Sequence, residues 1–322
     1  PALLSIGRMA AAKSTRTGVP APPPTPPPTS FNDGEMVGDW TIESKLGEGG
    51  FGAVYKVFNK NKQYYALKVE DEKATVRILK MDVTVLCEMG RKRAKHFCRL
   101  RDTGNARGVN FMVMTLVGQS LNDLRRMMPN SVKHFTLPCA LLIGVQCIEA
   151  IEELHSSGFL HRDIKGGNFT IGRNTPKFIY MIDFGMCRKF VDKEGVRRPR
   201  WSSGFRGTLQ YAPISCHIQR EQSRKDDLES WLYTQVEFTN GDVPWRRNNK
   251  PDEVLKMKMD IRDPEKNGTF YASCPRLYIE TMEYIDGLFY YDVPDYTKMI
   301  NSFKTCIITN KFENALYDWE TM

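Results

Sequence analysis

Apolar and polar residues alternate along "WTIESKLGEGGFGAVYKVFN" (40–59), which predicts two strands of a hairpin around a cluster of glycines. The stretches "QYYALKV" (63–69) and "VNFMVMTLV" (109–117) predict two further strands. Between them, residues 75–89 carry apolar side chains at helical spacing, and Gly90 is the expected end of that helix. The first part of the chain should therefore form a small β-rich lobe with one helix.

After Gly118 the pattern of apolar residues becomes mostly helical. Two unequal lobes that meet near residue 117 predict a cleft, which is the usual place for a ligand. We therefore expect an α+β, two-lobed fold, with a tail at 1–38, an N-lobe and hinge at 39–117 and a C-lobe at 118–322. The predicted C-lobe helices lie at 120–128, 138–157, 225–239, 251–260, 275–287 and 295–307, and the predicted short strands at 169–172 and 178–182.

Composition changes this picture mainly at the N-terminus. The stretch "VPAPPPTPPPTS" (19–30) has too few apolar side chains to form a core, so residues 1–38 are expected to be a disordered or polyproline tail. An SH3-type ligand in this tail is a less favoured alternative. We expect no secretion signal, no apolar run is long enough for a membrane span, and the eight cysteines lack metal-ligand spacing. We expect reduced thiols and a cytoplasmic location, with the nucleus as a second one.

The chain carries 46 Lys and Arg against 38 Asp and Glu, a formal net charge of +8. Such a balance is compatible with nucleic acid, an acidic membrane surface or acidic substrates, and also with an ordinary solvated basic surface. The sequence contains no recognisable nucleic-acid-binding module. We therefore expect no nucleic-acid partner, no membrane partner and a monomer.

The segment "GEGGFGAV" (47–54) contains the spacing G-x-G-x-x-G at Gly47, Gly49 and Gly52, followed by Val54. Glycines allow backbone N–H groups to approach phosphates closely. Here a strand follows the loop, and Lys68 lies on the next strand, which is the arrangement of protein kinases and not of dinucleotide-binding folds. A flexible hairpin turn is the alternative for this motif taken alone. The predicted nucleotide site also includes Gly50, Phe51 and Ala66.

The segment "HRDIKGGN" (161–168), followed by "DFG" (183–185), combines the groups that phosphoryl transfer needs. Asp163 would accept or orient the proton of an attacking hydroxyl, and Lys165 would neutralise charge on the transferred phosphate. Asn168 and Asp183 offer oxygen ligands suited to Mg²⁺. His161 is expected to brace the loop without taking part in the chemistry. Chance is a poor explanation for these residues in this order.

With these motifs, the chain resembles the casein kinase 1 superfamily from about residue 40 to its end, and is most similar to tau-tubulin kinases. The resemblance rests on "HRDIKGGNF", "RGTLQYAP", "SRKDDLES", "DVPWR", "DVPDY" and "YDWE". It implies a two-lobed kinase fold, ATP with Mg²⁺, and transfer of phosphate to Ser or Thr of protein substrates. It also implies that Met114 lies behind the adenine, that Thr115, Leu116 and Val117 form the hinge, and that Asp227 anchors the catalytic loop.

The sequence departs from the family pattern at three places. Asp82 stands where most kinases have Glu, so its helix must move closer to Lys68 or the ion pair must be looser. A looser pair would make Asp82→Glu neutral or favourable for activity. Gln210 replaces an Arg that helps hold a phosphate, and two glycines, 166 and 167, make the catalytic loop less constrained. A pseudokinase, acting as a scaffold, is the alternative.

The segment 188–208 after "DFG" is rich in cations and should form an activation loop beside the peptide groove. Concentrated cations attract acidic peptides, so we expect Ser or Thr flanked by acidic residues or phosphoresidues as substrate. Gln210 argues against a strict requirement for phosphate, because an amide does not replace a guanidinium. The alternative is that the cations only cover a flexible loop. They are Arg188, Lys189, Arg197, Arg198, Arg200 and Arg206.

Overall fold

The computed structural model describes residues 30–49, 52–129 and 133–321. An antiparallel six-stranded sheet forms the N-lobe, in the order β1-β2-β3-β4-β6-β5. Alternate residues of β3 point inward, as the sequence pattern predicts, and they pack with the inward face of β4 and β6. The strands are β1 Met36–Val37, β2 Trp40–Gly49, β3 Gly52–Phe58, β4 Tyr64–Asp71, β5 Leu100–Ala106 and β6 Val109–Thr115.

The N-lobe begins earlier than the sequence predicts. Phe31 and Val37 are buried in the core of this sheet, and β1 pairs with the start of β2. The predicted boundary at residue 38 is therefore too late, because the core includes two apolar side chains that follow the Pro-rich stretch. Residues 1–29 of that predicted tail lie outside the described residues.

The single N-lobe helix, α1, spans Leu79–Lys92. It starts later than predicted, so Val76 is exposed outside it, and it continues through Gly90. The prediction that Gly90 ends the helix is wrong: Arg93 adopts the left-handed conformation instead, and its N–H donates to the carbonyls of Gly90 and Met89. The buried face of α1 includes Asp82, which places a carboxylate between the helix and the sheet.

The C-lobe is mainly helical, as predicted. Its centre is α3 Leu137–Ser156, which packs on α5 Arg224–Asn240 and on α8 Tyr296–Thr309. Local signals set the limits of α5, since Ser223 and Asp226 form a capping box and Gly241 ends the helix at φ 85°. The other helices are α2 Leu121–Met127, α4 Ile214–His217, α6 Pro251–Asp260 and α7 Arg276–Asp286.

The part of the chain after the N-lobe also contains three two-stranded ribbons. In the first, β7 Phe159–Leu160 pairs with β10 Arg188–Lys189, and in the second, β8 Phe169–Ile171 pairs with β9 Ile179–Met181. The third joins β11 Val191–Asp192 to β12 Gly195–Val196. The catalytic-loop motif therefore lies between β7 and β8, and the DFG motif follows β9, so both reach the same edge of the C-lobe. No helix in the part of the chain that the structure describes is long and apolar enough to cross a membrane.

Candidate active site

The cleft between the lobes has a volume of about 880 Å³, and the glycine loop covers one side of it. Gly47, Gly49, Gly52 and Val54 all line the cleft, as predicted. Gly52 has φ 148°, and a Cβ there would lie 2.0 Å from the carbonyl oxygen of Val69, so only glycine fits. The predicted contacts of Gly50 and Phe51 lie outside the described residues.

The hinge side of the cleft matches the prediction except at Thr115. The Thr115 side chain accepts a hydrogen bond from the N–H of Arg99 (3.0 Å), and Thr115 does not line the cleft. By contrast, the backbone groups of Leu116 and Val117 make no hydrogen bond with other described residues. They are therefore available to a flat ligand with donor and acceptor groups along one edge. The predicted residues that do line this side are Ala66, Met114, Leu116 and Val117.

Lys68 connects the sheet to two carboxylates. Its Nζ lies 2.9 Å from Asp82 Oδ2 and 3.0 Å from Asp183 Oδ1. The other Asp82 oxygen accepts a hydrogen bond from the N–H of Phe184 (2.7 Å), and the Asp82 side chain is only 1% exposed. The ion pair is therefore not loose. Of the two alternatives for a short acid at this position, the structure shows the helix close to the strand.

A further carboxylate, on the same strand as Lys68, explains how α1 comes so close to the sheet. Glu70 is buried two residues after Lys68, and its Oε1 accepts hydrogen bonds from the N–H groups of Ile78 (2.6 Å) and Leu79 (3.0 Å). These N–H groups at the helix start have no partner within the helix, and a carboxylate there is favourable. The start of α1 also lies close to the DFG motif, since a Cβ added at Gly185 would be 2.9 Å from the Ile78 side chain. Glu70 thus fixes the start of α1 on the sheet, and nothing in the sequence pattern identified it.

The charges in this network follow from the competition between burial and pairing. Burial would lower the pKa of Lys68, but Asp82 and Asp183 outweigh it and hold the pKa above its ordinary value. Burial would raise the pKa of Asp183, but Lys68 holds it below the usual range. Burial raises the pKa of Asp82, yet its two oxygens each face a donor, so we assign it as a carboxylate. The site thus presents one ammonium group between two carboxylates.

The catalytic loop brings Asp163, Lys165 and Asn168 together, as predicted. Lys165 Nζ lies 2.7 Å from Asp163 Oδ2, and the Asn168 amide donates to the backbone oxygen of Asp163 (2.8 Å). Thr208, which was not predicted, donates to Asp163 Oδ1 from both its N–H and its hydroxyl (2.8 Å each) and accepts from Lys165 (2.9 Å). The only sequence signal for it was its place in "RGTLQYAP", 45 residues from Asp163. Thr208 ties the activation segment, residues 186–212, to the catalytic carboxylate.

Asp227 anchors this loop from inside α5. Its fully buried carboxylate accepts from the N–H groups of His161 (2.7 Å) and Arg162 (2.8 Å) and contacts His155 Nε2 (2.8 Å). Burial would raise the pKa of Asp227, but His155 and the other donors hold it below the usual range. His161 is itself buried, with Nε2 3.2 Å from the Ile182 oxygen. The predicted roles of Asp227 as an anchor and of His161 as a brace are confirmed.

The remaining oxygen atoms of Asn168 and Asp183 fit a magnesium ion. The Asn168 amide nitrogen is used by Asp163, so its oxygen is turned away from that contact, and neither this oxygen nor Asp183 Oδ2 has a hydrogen-bond partner among the described residues. Both residues line the cleft. Mg²⁺ in sites of this kind usually takes one or two protein oxygen ligands and completes its shell with waters and phosphate oxygens.

The activation segment is held by a carboxylate that the sequence did not indicate. Glu221 pairs with Arg188 (Nε to Oε1, 3.3 Å) and with Arg200, whose Nη2 lies 3.1 Å from Oε1 and whose Nε contacts Oε2. Arg162, beside them, donates to the backbone oxygen of Met186 (2.9 Å). The attraction of Arg188 and Arg200 for a peptide stays a prediction, and their shared carboxylate partner reduces the positive charge that they offer to one.

Comparison with known proteins agrees with this geometry. The chain matches the protein kinase domain family over residues 40–286. It is 35% identical to a probable serine/threonine-protein kinase of Dictyostelium discoideum, over 90% of this chain and 58% of the relative. It is also 35% identical to the serine/threonine-protein kinase spe-6 of Caenorhabditis elegans, over 81% of this chain and 69% of the relative. A probable casein kinase I homolog of Encephalitozoon cuniculi is 33% identical, over 84% of both chains.

The chain thus spans less than two thirds of the Dictyostelium relative. The likeness to tau-tubulin kinases in particular stays a prediction. The family assignment itself rests on a match over most of the chain and on the paired lysine, the catalytic loop and the DFG carboxylate in one cleft. The chain belongs to the protein kinase family and, within it, to the casein kinase 1-like serine/threonine kinases.

Proposed function

We propose that this domain transfers the γ-phosphate of ATP to Ser or Thr hydroxyl groups of protein substrates. The observation that carries the proposal is the complete charge arrangement in one cleft. Lys68 is paired with both Asp82 and Asp183, and Asp163 is held by Lys165. A chain that had kept only a scaffolding role would not need these contacts together, since phosphoryl transfer depends on positioning and charge.

Each residue has a role that its contacts support. The Asp163 carboxylate would receive or orient the proton of the substrate hydroxyl, and Lys165 beside it would offset negative charge on the phosphoryl group. Asn168 and Asp183 would hold Mg²⁺, which supplies positive charge against the phosphates when it is bound. Lys68 would contact the phosphates, and Asp82 would keep it in place. Pre-formed contacts of this kind lower the reorganisation needed during reaction.

We also propose that acidic residues flank the substrate Ser or Thr. Arg198 and Arg206 are exposed and have no carboxylate partner among the described residues, unlike Arg188 and Arg200. Arg206 lies two residues before Thr208, which contacts Asp163. The cationic surface beside the groove is thus smaller than the sequence indicated, and a modest preference is expected rather than a strict one.

Asp163→Asn tests the proposed chemistry. Turnover of ATP and a Ser/Thr protein such as casein should fall by roughly 10²- to 10⁴-fold, the usual contribution of a positioned base. The affinity for Mg·ADP should change little, because Asp163 does not line the part of the cleft where nucleotide would lie. Asp183→Asn, the companion variant, should weaken Mg·ADP binding as well. Near-normal turnover in Asp163→Asn would show that Asp163 is not the catalytic residue. A wild-type protein that binds ATP without transferring phosphate would instead be a pseudokinase.

A further inference from the structure

A second cavity, of about 660 Å³, lies behind the activation segment and outside the cleft. The end of α3, the strands β10 and β11 and the start of α5 form its walls. Five cationic side chains line it against one carboxylate, Asp192. We call these five the basic pocket: Lys92, Lys189, Lys193, Arg197 and Arg224.

The protein itself supplies little negative charge to the basic pocket. Asp192 already pairs with Arg197 (Oδ2 to Nε, 3.4 Å). The ammonium groups of Lys189 and Lys193 form no hydrogen bond or ion pair with any residue in the ranges that the structure describes. Glu88, which lies near Lys189, is engaged through both oxygens by Arg91 (2.9 and 2.6 Å). The pocket therefore holds several like charges together without a carboxylate to balance them.

Two of the cations are fixed in place by neutral groups. Lys92 donates to the backbone oxygen of Ser156 (2.8 Å), which leaves two of its three N–H bonds unused. Arg224 is only 9% exposed, donates to the Tyr291 oxygen (2.7 Å) and lies over the Phe190 ring at 5.2 Å. Its remaining N–H groups have no acceptor among the described residues. Because an arginine held this way loses little freedom on binding, it is ready to receive an anion.

The adjacent cations differ from the basic pocket in this respect. Arg188, next to Lys189 in the chain, shares Glu221 with Arg200. Glu221, which follows the activation segment in the chain, is thus an internal anion for these two arginines, whereas the basic pocket has only Asp192, which already pairs with Arg197. An external anion with several acceptor oxygens would complete the basic pocket in the way that Glu221 completes the pair of arginines.

We propose that the basic pocket is a binding site for a phosphoryl group. A phosphate monoester carries nearly two negative charges and three acceptor oxygens, which matches more cations than a carboxylate does. The two possible sources are free phosphate and a phosphorylated side chain of a protein. None of Lys68, Asp163 and Asp183 lines the pocket, so the site is separate from the cleft and its existence does not depend on the proposed function.

Binding should also stabilise the fold. Lys92 belongs to α1, which carries Asp82, while Lys189 and Lys193 belong to the activation segment and Arg224 to α5. A phosphoryl group in contact with these residues would link three elements, α1, the activation segment and α5, which meet here through few charged contacts. Ligands that bind only the folded protein raise its melting temperature with concentration.

The test uses the whole chain with saturating Mg·ADP, so that the cleft is filled. Three probes are titrated by calorimetry at about 50 mM salt: inorganic phosphate, a phosphoserine peptide without other phosphoacceptors, and the same peptide unphosphorylated. The variant Lys189→Ala/Lys193→Ala removes the two unpaired lysines. Its control, Lys60→Ala/Lys256→Ala, removes two exposed lysines elsewhere, with the same change in net charge.

We expect the wild type and the control to bind phosphate or the phosphopeptide, and the pocket variant to bind about tenfold more weakly, since each exposed charge contributes a few-fold. Tighter binding of the phosphopeptide than of free phosphate would identify a protein source, and the reverse a free anion. Equal loss in both variants, equal binding of the unphosphorylated peptide, or no binding by the wild type would overturn the proposal. Failure of Mg·ADP to bind would count against the proposed function only, because the same titrations can then be made without nucleotide.

Discussion

The cleft and the basic pocket treat positive charge in opposite ways. In the cleft, Lys68 forms ion pairs with both Asp82 and Asp183. Lys165 forms an ion pair with Asp163. In the basic pocket, the ammonium groups of Lys189 and Lys193 form no ion pair with a carboxylate of the described residues. The catalytic charges are therefore arranged before any ligand arrives, whereas the pocket behind the activation segment is complete only with an anion from outside.

The two regions should also differ in how strongly they respond to mutation. A buried pair that loses one partner leaves an uncompensated charge, which costs several kcal/mol, whereas exposed charges contribute about 1 kcal/mol or less and are screened by salt. Changes in the cleft should therefore have large effects that salt does not alter. Changes among exposed cations should have small effects that salt removes.

After Asp163→Asn, the change Asp82→Glu, also inside the cleft, should have the next largest effect on activity. Of the two alternatives for a short acid, the structure supports the closer helix, because Asp82 already contacts Lys68 and the N–H of Phe184 and is almost fully buried. An extra methylene at such a buried position displaces its neighbours, and overpacking costs about 1–3 kcal/mol. We expect kcat/KM to fall roughly ten- to hundredfold in a kinase assay.

Asp39→Glu is a suitable control for this variant, since Asp39 is exposed and gains the same methylene. Its activity should equal that of the wild type. If Asp82→Glu were as active as the wild type or more so, the space around Asp82 would accommodate a longer side chain. The contrast between the tightly paired charges of the cleft and the unpaired charges of the basic pocket would then weaken.

Glu221→Gln should remove the carboxylate that pairs with Arg188 and Arg200, so that these arginines, like the basic pocket, would lack an internal anion. Glu221 is buried, but both arginines are partly exposed, so the cost should be moderate, about 2 kcal/mol of unfolding free energy. Denaturant unfolding would measure it. Glu194→Gln, an exposed change on the activation segment itself, should alter stability by less than about 0.5 kcal/mol. Equal stability of the two variants would show that Glu221 does not hold the segment.

The sequence predicts the parts of the site that are close together along the chain. Asp163, Lys165 and Asn168 lie within six residues, so their side chains stay close together in space whatever the rest of the fold. Helical spacing is enough to turn Asp82 toward the cleft. Glu70 and Glu221 escape such prediction because their partners are backbone groups or arginines brought near only by packing.

The errors have the same origin. A pattern of cations indicates charge but not whether a buried carboxylate already pairs with it, which is why the contacts of Arg188 and Arg200 with Glu221 were not predicted. Thr115 is the last residue of β6, and its hydroxyl accepts a hydrogen bond from the N–H of Arg99, which lies just before β5. Gly90 predicts a helix end, yet the left-handed residue that ends the helix is Arg93. In each case a tertiary contact or the local backbone overrides a sequence signal.

Lys258 is a third kind of cation, buried but held by neutral groups. It has no carboxylate in hydrogen-bond contact, since its Nζ donates to the oxygens of Leu209 (2.9 Å) and Ala212 (2.6 Å) and contacts His217 Nε2 (3.2 Å). Burial lowers the pKa of Lys258 to about 7, so it is charged in mildly acidic solution. Carbonyl groups and a neutral histidine can thus satisfy a lysine, and Lys189 and Lys193 of the basic pocket lack even these among the described residues.

His217 should make stability depend on pH. Burial, and then Lys258, lower the pKa of His217 to about 4, against the attraction of Glu229 and Asp252. The unfolded chain, with an ordinary histidine, binds the proton near pH 6.5, so the folded state loses stability as the pH falls from there toward 4. His217→Gln keeps an acceptor for Lys258 but removes the titration. Denaturant unfolding at pH 7.5 and pH 5 should show a decrease smaller by up to about 2 kcal/mol in this variant; an identical decrease would mean that Lys258 does not depend on a neutral His217.

The smallest expected effect belongs to Arg206, an exposed cation near the catalytic carboxylate. At low salt, the wild type should phosphorylate peptides with acidic flanks about threefold more efficiently than matched neutral peptides, because one or two exposed charges contribute well under 1 kcal/mol each. Arg206→Gln should remove most of this advantage, and so should about 0.5 M salt, which shortens the range of the attraction to a few ångströms. Lys256→Gln, an exposed change on α6, should leave it intact. A preference for basic flanks, a strict requirement for a phosphorylated flank, or an advantage that survives high salt would show that the activation segment reads substrates through buried, paired groups like those of the cleft rather than through its exposed charges.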